Sequence, residues 1–247
     1  MAQQSRPGDV DAAVRKHSGW LIPLALLVLI VALCALVLLY YLAPSPNSLI
    51  EEHASPSAGL YRVQLRVGTI ALSVPANYLP YAAERSGGPR REVAVYAELP
   101  DFRGFSDSAA GEFGGNSPDS RVIHMLITRE SFDVGESARL TRIYLAEVVD
   151  PRGRPGPAGL VEYTFRTNSG YRGEDLFVGR DAGAAVVMRC TRLSAEVPSP
   201  NCMREVQYAP GILLSYRFKR SQLGHWRQIA AGAERLVATF ATRQKTG

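Results

Sequence analysis

Residues that could carry out catalysis are few in this sequence, and their spacing fits no common catalytic motif. The chain of 247 residues contains no Gly-x-Ser-x-Gly turn, phosphate-binding loop, dinucleotide fingerprint or His-Glu-x-x-His zinc motif. Its four histidines are His17, His53, His124 and His225, and none has a neighbour at metal-ligand spacing. His124 lies in an apolar strand pattern, which favours a hydrogen-bonded strand residue over a catalytic one. We therefore predict no catalytic residue, no metal and no cofactor, with an enzyme as the less favoured alternative.

Cys190 and Cys202 are spaced for a disulfide. One ends a predicted strand and the other begins the next, and the segment between them is rich in proline and other turn-forming residues. Closing so short a loop stabilises by about 3 kcal/mol in the chain-entropy model, and disulfides persist in oxidising compartments such as the periplasm. The alternative is two separate buried thiols. Zinc is disfavoured, because eleven residues separate the cysteines and further ligands are missing.

Two loops carry side chains suited to binding a partner. Residues 100–120 combine charged and aromatic residues with glycine and serine, and residues 167–175 connect two predicted strands. Long loops often display binding groups. The possible partner-binding residues are Asp101, Phe102, Arg103, Phe105, Phe113, Tyr171 and Arg172. In the alternative interpretation, the phenylalanines pack back onto the sheet and the second loop is a simple hairpin connection.

The charge distribution argues against nucleic acid as a partner. The chain has 28 basic and 23 acidic residues, a formal net charge of +5, and they are spread along the whole sequence. Nucleic-acid-binding proteins instead concentrate lysine and arginine on one face or arm. We expect no nucleic-acid binding.

Residues 20–42 form an apolar segment that predicts a transmembrane helix through the lipid bilayer. No ionised side chain occurs between Lys16 and Glu51, and roughly 20 apolar residues suffice to cross a bilayer. Trp20 lies at one end and Tyr40 and Tyr41 at the other, as at membrane interfaces. A cleaved signal peptide is the main alternative, but its apolar core is usually about 7 to 15 residues long. A buried helix would need a core on every side of the segment.

The cations that flank this segment predict its orientation and the organisation of the chain. Arg6, Arg15 and Lys16 precede the segment, and the next cation is Arg62. Positive residues stay on the cytoplasmic side. We therefore predict a cytoplasmic tail over 1–19, a linker rich in proline and serine over 43–59, and one periplasmic domain over 60–247.

The pattern within the domain predicts an α+β fold with a largely antiparallel sheet. Residues 61–74 read as a hairpin around Gly68-Thr69, in which Val63, Leu65 and Val67 share one face with Val74, Leu72 and Ile70. Further strands are predicted at 92–99, 121–128, 160–165, 176–178, 184–190, 203–208 and 212–218. Helical spacing predicts one helix over 136–149 and a C-terminal amphipathic helix, capped by Ser221, that covers the sheet.

Several short motifs resemble a group of bacterial proteins with one N-terminal anchor and a periplasmic domain. They are Val74-Pro75-Ala76-Asn77-Tyr78, Leu99-Pro100-Asp101 with Gly104-Phe105, Gly170-Tyr171 with Glu174-Asp175-Leu176, and Tyr216-Arg217-Phe218 before Trp226. The resemblance covers most of residues 60–240 and implies a bacterial inner-membrane location. It carries no assigned activity.

These observations together predict a single-pass inner-membrane protein whose periplasmic domain is a binding or accessory module of an envelope complex. The expected partner is a protein in the membrane or periplasm. The alternatives are a periplasm-facing enzyme, which would need a deep pocket with clustered titratable groups, and an inhibitor or immunity protein, which would look the same in sequence.

The predicted orientation depends on Arg15 and Lys16. We expect Arg15→Glu with Lys16→Glu to lower the fraction of molecules whose N-terminus is cytoplasmic, because it removes the cations nearest the apolar segment. A reporter fused to the C-terminus and active only in the periplasm measures this fraction. Arg243→Glu with Lys245→Glu is the control, since it changes the charge equally at the far end of the chain. An unchanged signal from the first variant would contradict the argument that these cations set the orientation.

Overall fold

The computed structural model describes residues 20–42, 54–130 and 134–242. The chain divides into two compact units, Met1–Glu52 and His53–Gly247. In the first unit, α1 (Leu21–Leu42) is an apolar helix of 22 residues, and its side chains at 22–38 are exposed. Among the described residues, no helix meets the combined length and apolarity needed to cross a membrane. The membrane span over residues 20–42 therefore stays a prediction from the sequence.

Several sequence predictions fall outside these ranges. The tail predicted over 1–19, with its three cations and His17, lies outside the described residues. So does most of the linker predicted over 43–59, with His53. The strands and helices described below belong to the second unit.

The second unit confirms the predicted α+β class and its largely antiparallel sheet. Within the described residues its strands are β1 (Arg62–Val67), β2 (Ile70–Pro75), β3 (Gly88–Arg90), β4 (Glu92–Glu98), β5 (Val122–Arg129), β6 (Arg154–Pro155), β7 (Val161–Thr164), β8 (Glu174–Asp181), β9 (Ala184–Thr191), β10 (Asn201–Ala209), β11 (Ile212–Lys219) and β12 (Ala241–Thr242). Its helices are α2 (Ala110–Gly114), α3 (Glu136–Arg139) and α4 (Trp226–Phe240). A large sheet has the order β4-β5-β11-β10-β9-β8-β7-β6, and a small sheet has the order β12-β2-β1-β3.

The N-terminal hairpin has the predicted register. Val63 pairs with Val74, Leu65 with Leu72 and Val67 with Ile70. Gly68 adopts a φ of 53° in the turn, a conformation that glycine reaches without strain. The apolar side chains of the hairpin join the main core, as the alternation of apolar and polar residues requires.

The C-terminal helix covers the same core, as predicted. Its buried side chains lie at helical spacing: Trp226, Ile229, Ala233, Leu236, Val237 and Phe240. They pack with the side chains of β4, β5 and β11 that face inward, so we call this side of the large sheet its inner face. The predicted cap is wrong, because Ser221 lies in a 3-10 helix, Arg220–His225, and its hydroxyl donates to the Pro118 carbonyl at 2.8 Å.

The helix predicted over 136–149 is shorter than expected. α3 continues into a π-helical turn, Leu140–Tyr144, and helical structure ends there. The following residues pair with the end of β7, because the Val149 amide donates to the Thr164 carbonyl at 2.9 Å and the Arg166 amide donates to the Glu147 carbonyl at 2.9 Å. Tertiary strand pairing therefore replaces the last helical turn that local periodicity favoured.

The predicted disulfide joins β9 and β10. Cys190 and Cys202 lie directly opposite each other in the strand register, their Cα atoms are 3.9 Å apart, and the two sulfurs are bonded. Both residues are fully buried. Cys34 is a free cysteine in α1.

The loop after β4 is fastened to α4 by Phe102. The Glu98 amide donates to the Arg103 carbonyl at 2.7 Å, and the Arg103 amide donates to the Glu98 carbonyl at 3.1 Å, which closes a tight loop. Phe102 is buried and has a φ of 57°, a left-handed conformation that costs energy for a non-glycine residue. A Cβ added to Gly232 would lie 2.0 Å from the Phe102 ring. The ring therefore fits against α4 only because residue 232 lacks a side chain.

This contact predicts that Gly232→Ala destabilises the fold. The added methyl group would overlap a ring whose backbone is already constrained, and overpacking costs about 1–3 kcal/mol, more than the roughly 1 kcal/mol that alanine gains in a helix. Chemical denaturation of the full-length protein in detergent micelles measures the free energy of unfolding. Gly224→Ala is the matched control, because nothing lies within 4 Å of the added atom. Equal stability of the two variants would contradict the contact.

Candidate functional site

The outer face of the large sheet, opposite the main core, carries one continuous row of side chains. The row runs Tyr96, His124, Arg217, Met203, Arg189, Leu176 and Tyr163, each directly opposite the next on neighbouring strands. Directly paired residues project from the same face of a sheet, so these side chains form a line across seven strands. The two ends of the row are covered by other parts of the chain.

An aromatic cluster covers the β4 end of the row. Phe113 of α2 packs edge-on against Tyr96, with ring centroids 4.7 Å apart, and against Phe105, with centroids 5.5 Å apart. Tyr96, Phe105 and Val122 are buried there. We call this the β4 aromatic cluster.

A second aromatic cluster covers the other end of the row, from Arg189 of β9 to Tyr163 of β7. The Tyr171 ring lies 5.4 Å from the Tyr144 ring and 4.9 Å from the Phe165 ring. The Arg189 guanidinium lies over Tyr171, 5.2 Å from its centroid, and donates a hydrogen bond to the Glu174 carboxylate at 2.8 Å. We call this the β9 aromatic cluster.

The middle of the row is open to solvent. His124 and Arg217 are exposed, and Leu126, Met203 and Ser215 beside them are partly exposed. These residues belong to three neighbouring strands, β5, β11 and β10. We call this set of five residues the open strip; it lies between the two aromatic clusters.

Positive charge at the open strip is not compensated. Lys219 lies two residues after Arg217 on β11, on the same face, and is only 6% exposed. Its Nζ donates to Asn116 Oδ1 at 2.5 Å and to Ser199 Oγ at 2.7 Å, both neutral acceptors. Among the described residues, neither Lys219 nor Arg217 has a carboxylate partner. A buried ammonium group without a counter-ion is costly.

The pKa values of neighbouring groups reflect this charge. Burial, and then the nearby Arg217, lower the pKa of the Lys219 ammonium below its usual value. Although part of His124 is open to solvent, desolvation of its ring and the charges of Arg217 and Lys219 lower its pKa to about 4. His124 is therefore neutral at pH 7, and the fixed charges at the strip are that of Arg217, which belongs to it, and that of the buried Lys219 beside it.

The β9 side of the strip is positioned by a division in the sheet. β9 and β10 share only three register pairs, from Cys190–Cys202 to Met188–Arg204. Beyond these pairs, the Val187 amide donates to Glu136 Oε1 at 2.6 Å. The Glu205 carbonyl accepts from Arg139 at 2.5 Å, and its carboxylate accepts from the same guanidinium at 2.8 Å. Side chains of α3 thus replace the backbone partners that the diverging strands have lost.

Arg204 links this division to the core. Its guanidinium is buried, with a side-chain exposure of 6%, and pairs with Glu136 at 2.9 Å and with Glu234 of α4 at 3.1 Å. It also donates to the Tyr216 hydroxyl at 3.0 Å. Burial opposes the charge, but these hydrogen bonds hold the pKa of Arg204 above its usual value. Glu136 therefore serves both the β9 backbone and a buried cation.

Of the seven loop residues predicted to bind a partner, two lie beside the open strip, two are buried and three are exposed. Phe113 and Tyr171 belong to the two aromatic clusters on either side of the open strip. Phe102 and Phe105 are buried, so for them the alternative interpretation, packing back onto the protein, describes the structure. Asp101, Arg103 and Arg172 are exposed. Whether these residues bind a partner stays a prediction.

The sequence analysis did not identify Arg217 and Lys219. Their alternation with buried Tyr216 and Phe218 shows that they share a face, but only the pairing of β11 with β5 places them beside His124. The part of the chain that the structure describes contains no candidate metal site, since no group of three or more His, Cys, Asp or Glu residues there could hold an ion.

Comparison with protein-family models and with curated proteins finds no match. Among solved structures, the chain is similar to an immunity protein of the Stenotrophomonas maltophilia type IV secretion system, with a TM-score of 0.53 and 16% identity over 74% of this chain and 94% of that chain. A second similar structure is the Neisseria meningitidis iron-regulated outer membrane lipoprotein FrpD, with a TM-score of 0.45 and 11% identity over 78% of this chain and 98% of that chain. At these identities the first likeness establishes a shared fold.

The position of Glu136 predicts a large loss of stability on its removal. We expect Glu136→Ala to lower the free energy of unfolding by about 3 kcal/mol, because it leaves the buried Arg204 guanidinium underpaired and the Val187 amide without an acceptor. Glu92→Ala is the control at an exposed position of β4 and should change stability by less than about 0.5 kcal/mol. Chemical denaturation of the full-length protein measures both. A similar effect of the two substitutions would contradict the assigned role.

Proposed function

We propose that this chain is a binding module of the bacterial envelope that recognises a protein partner through the open strip. The observation that carries the proposal is an exposed strip of sheet, with the uncompensated charges of Arg217 and Lys219, between two aromatic clusters. Within the described residues, the buried charged groups Glu98, Asp175 and Arg204 have charged partners, and the buried Glu84 carboxylate accepts from the Ala94 amide at 2.6 Å. A partner with carboxylates at the strip would therefore supply the counter-charge that Arg217 and Lys219 lack.

The side chains around the strip are those that protein interfaces favour. Arginine, tyrosine, phenylalanine and methionine are enriched at interface centres, whereas lysine and glutamate are depleted there. The strip offers Arg217 and Met203 on its floor, and Phe113 and Tyr171 at its margins. Its backbone belongs to the paired strands β5, β11 and β10, so binding there orders less of the chain than binding to an unpaired loop would, which limits the entropic cost.

The fold favours an inhibitor or immunity role among the possible binding functions. The solved structure with a TM-score of 0.53 is that of an immunity protein of a type IV secretion system. This is an analogy between folds, and folds host many functions. It nevertheless supports a protein partner over a small substrate, and immunity is the form of accessory function that we propose first.

Membrane attachment and periplasmic location complete the proposal. The apolar segment over residues 20–42 is the proposed single-pass anchor, with the N-terminus in the cytoplasm. The Cys190–Cys202 disulfide supports an oxidising compartment for the domain. The domain would then meet its partner in the periplasm, next to the inner membrane.

Site-specific photo-crosslinking tests the proposed function. A photoreactive phenylalanine at Met203 should form an adduct with a defined protein in native membranes, whereas the same group at exposed Ala238 of α4 should not. Arg217→Glu should reduce the Met203 adduct at least about 10-fold, because it reverses a charge at the centre of the interface. Mass spectrometry of the adduct decides between a secreted toxin, as immunity requires, and a subunit of an envelope complex. Equal labelling from the two positions would contradict the proposal.

A further inference from the structure

We propose that the partner covers the open strip with an acidic segment that places carboxylates over Arg217 and apolar side chains beside Met203. This inference rests on the proposed function and specifies the chemistry of the partner. It follows from the juxtaposition of Arg217, Lys219 and His124 on one face, between two aromatic clusters.

The first step is the charge on the face. Two carboxylates that share the outer face with the strip are already engaged: Glu205 accepts from Arg139 at 2.8 Å, and Glu174 accepts from Arg189 at 2.8 Å. Glu98 accepts from Arg121 at 2.6 Å. Glu92 lies four residues from Tyr96 along β4, about 13 Å away at the usual rise per residue. None of these acids pairs with Arg217 or Lys219.

The second step is the role of the buried lysine. Lys219 is too buried to be the main contact itself, and its three donors point to neutral acceptors of Asn116 and Ser199. Its charge nevertheless acts through a protein environment that screens less than water. It therefore adds to the positive potential above Arg217, whose guanidinium is exposed and can bind a carboxylate through two parallel hydrogen bonds.

The third step is the shape of the strip. Tyr96 and Arg189 mark its margins on β4 and β9, four strand spacings apart, which is roughly 19 Å at 4.8 Å per spacing. A single helix is about 10–12 Å wide with its side chains, and a pair of strands has a similar width. One such segment can therefore lie between the aromatic clusters. A carboxylate over Arg217 would have Met203 about 5 Å away on the next strand for an apolar neighbour.

Fluorescence anisotropy with a defined probe tests the inference. The probe is a labelled ten-residue peptide of glutamate, phenylalanine and serine, and its control is the same peptide with glutamine in place of glutamate. The full-length protein is held in zwitterionic detergent micelles. We expect saturable binding of the acidic peptide, at least about 10-fold weaker binding of the glutamine peptide, and weaker binding at high salt.

Matched charge-reversal variants localise the binding. Arg217→Glu should weaken binding of the acidic peptide at least about 10-fold. Arg235→Glu makes the same change on the exposed side of α4 and should alter it less than about twofold. Arg217 has no ion pair within the described residues and its charge opposes that of Lys219, so its substitution should not lower the unfolding midpoint, and this is measured in parallel.

The outcomes separate this inference from the proposed function. Absence of saturable binding, equal binding of the glutamine peptide, or equal effects of the two substitutions would overturn the acidic segment. Binding to vesicles of anionic lipid without binding to the peptide would overturn it too, in favour of a membrane surface. If the Met203 adduct still forms in any of these cases, the binding function stands and only the chemistry of the partner is wrong; if the adduct is also absent, both fall.

Discussion

The fold depends on one buried cation at the place where its large sheet divides. Arg204 lies at the last register pair between β9 and β10, and its guanidinium reaches Glu136 of α3 and Glu234 of α4. A charge so deeply buried is tolerable only because each side of the guanidinium finds a partner. Glu136 in turn accepts the Val187 amide that the departing strand exposes. These two ion pairs of Arg204 thus close the opening in the sheet and join it to the helix that covers the core.

The distribution of paired and unpaired charges distinguishes the residues that stabilise this fold from those of the proposed binding site. Charges that hold the fold together are paired: Asp175 accepts from both Arg192 and Arg220 at 2.7 Å, and Arg204 is held as described. Arg217 and Lys219 contribute nothing of this kind, and two like charges at successive positions on one face repel each other. Their cost is small where Arg217 meets water and larger where Lys219 is buried. Because these charges lower the stability of the free protein, a partner with complementary charges would gain binding free energy by neutralising them.

The elements that the sequence predicts well are those in which local pattern and tertiary packing agree. The hairpin register follows from the alternation of Val63, Leu65 and Val67, and the C-terminal helix follows from apolar residues at steps of three and four. The disulfide follows from two cysteines at the ends of neighbouring strands. Prediction fails where distant segments decide, as at Val149, which pairs with Thr164 instead of ending a helix. The open strip needs the pairing of β5 with β11, whose residues are about 90 positions apart in the chain, and no local pattern contains it.

The disulfide and the ion pair together explain how so short a junction can carry half of the sheet. β9 and β10 share three register pairs, with the Cys190–Cys202 bond at one end and the Arg204–Glu136 pair at the other. On one side of this junction lie β10, β11, β5 and β4 with the open strip; on the other lie the strands that carry the β9 aromatic cluster. The spacing between strip and cluster is therefore set by the junction. In a reducing compartment the junction would keep only its few hydrogen bonds and the Arg204–Glu136 pair. The geometry of the proposed binding surface is therefore best maintained where disulfides persist, which agrees with the compartment proposed for the domain.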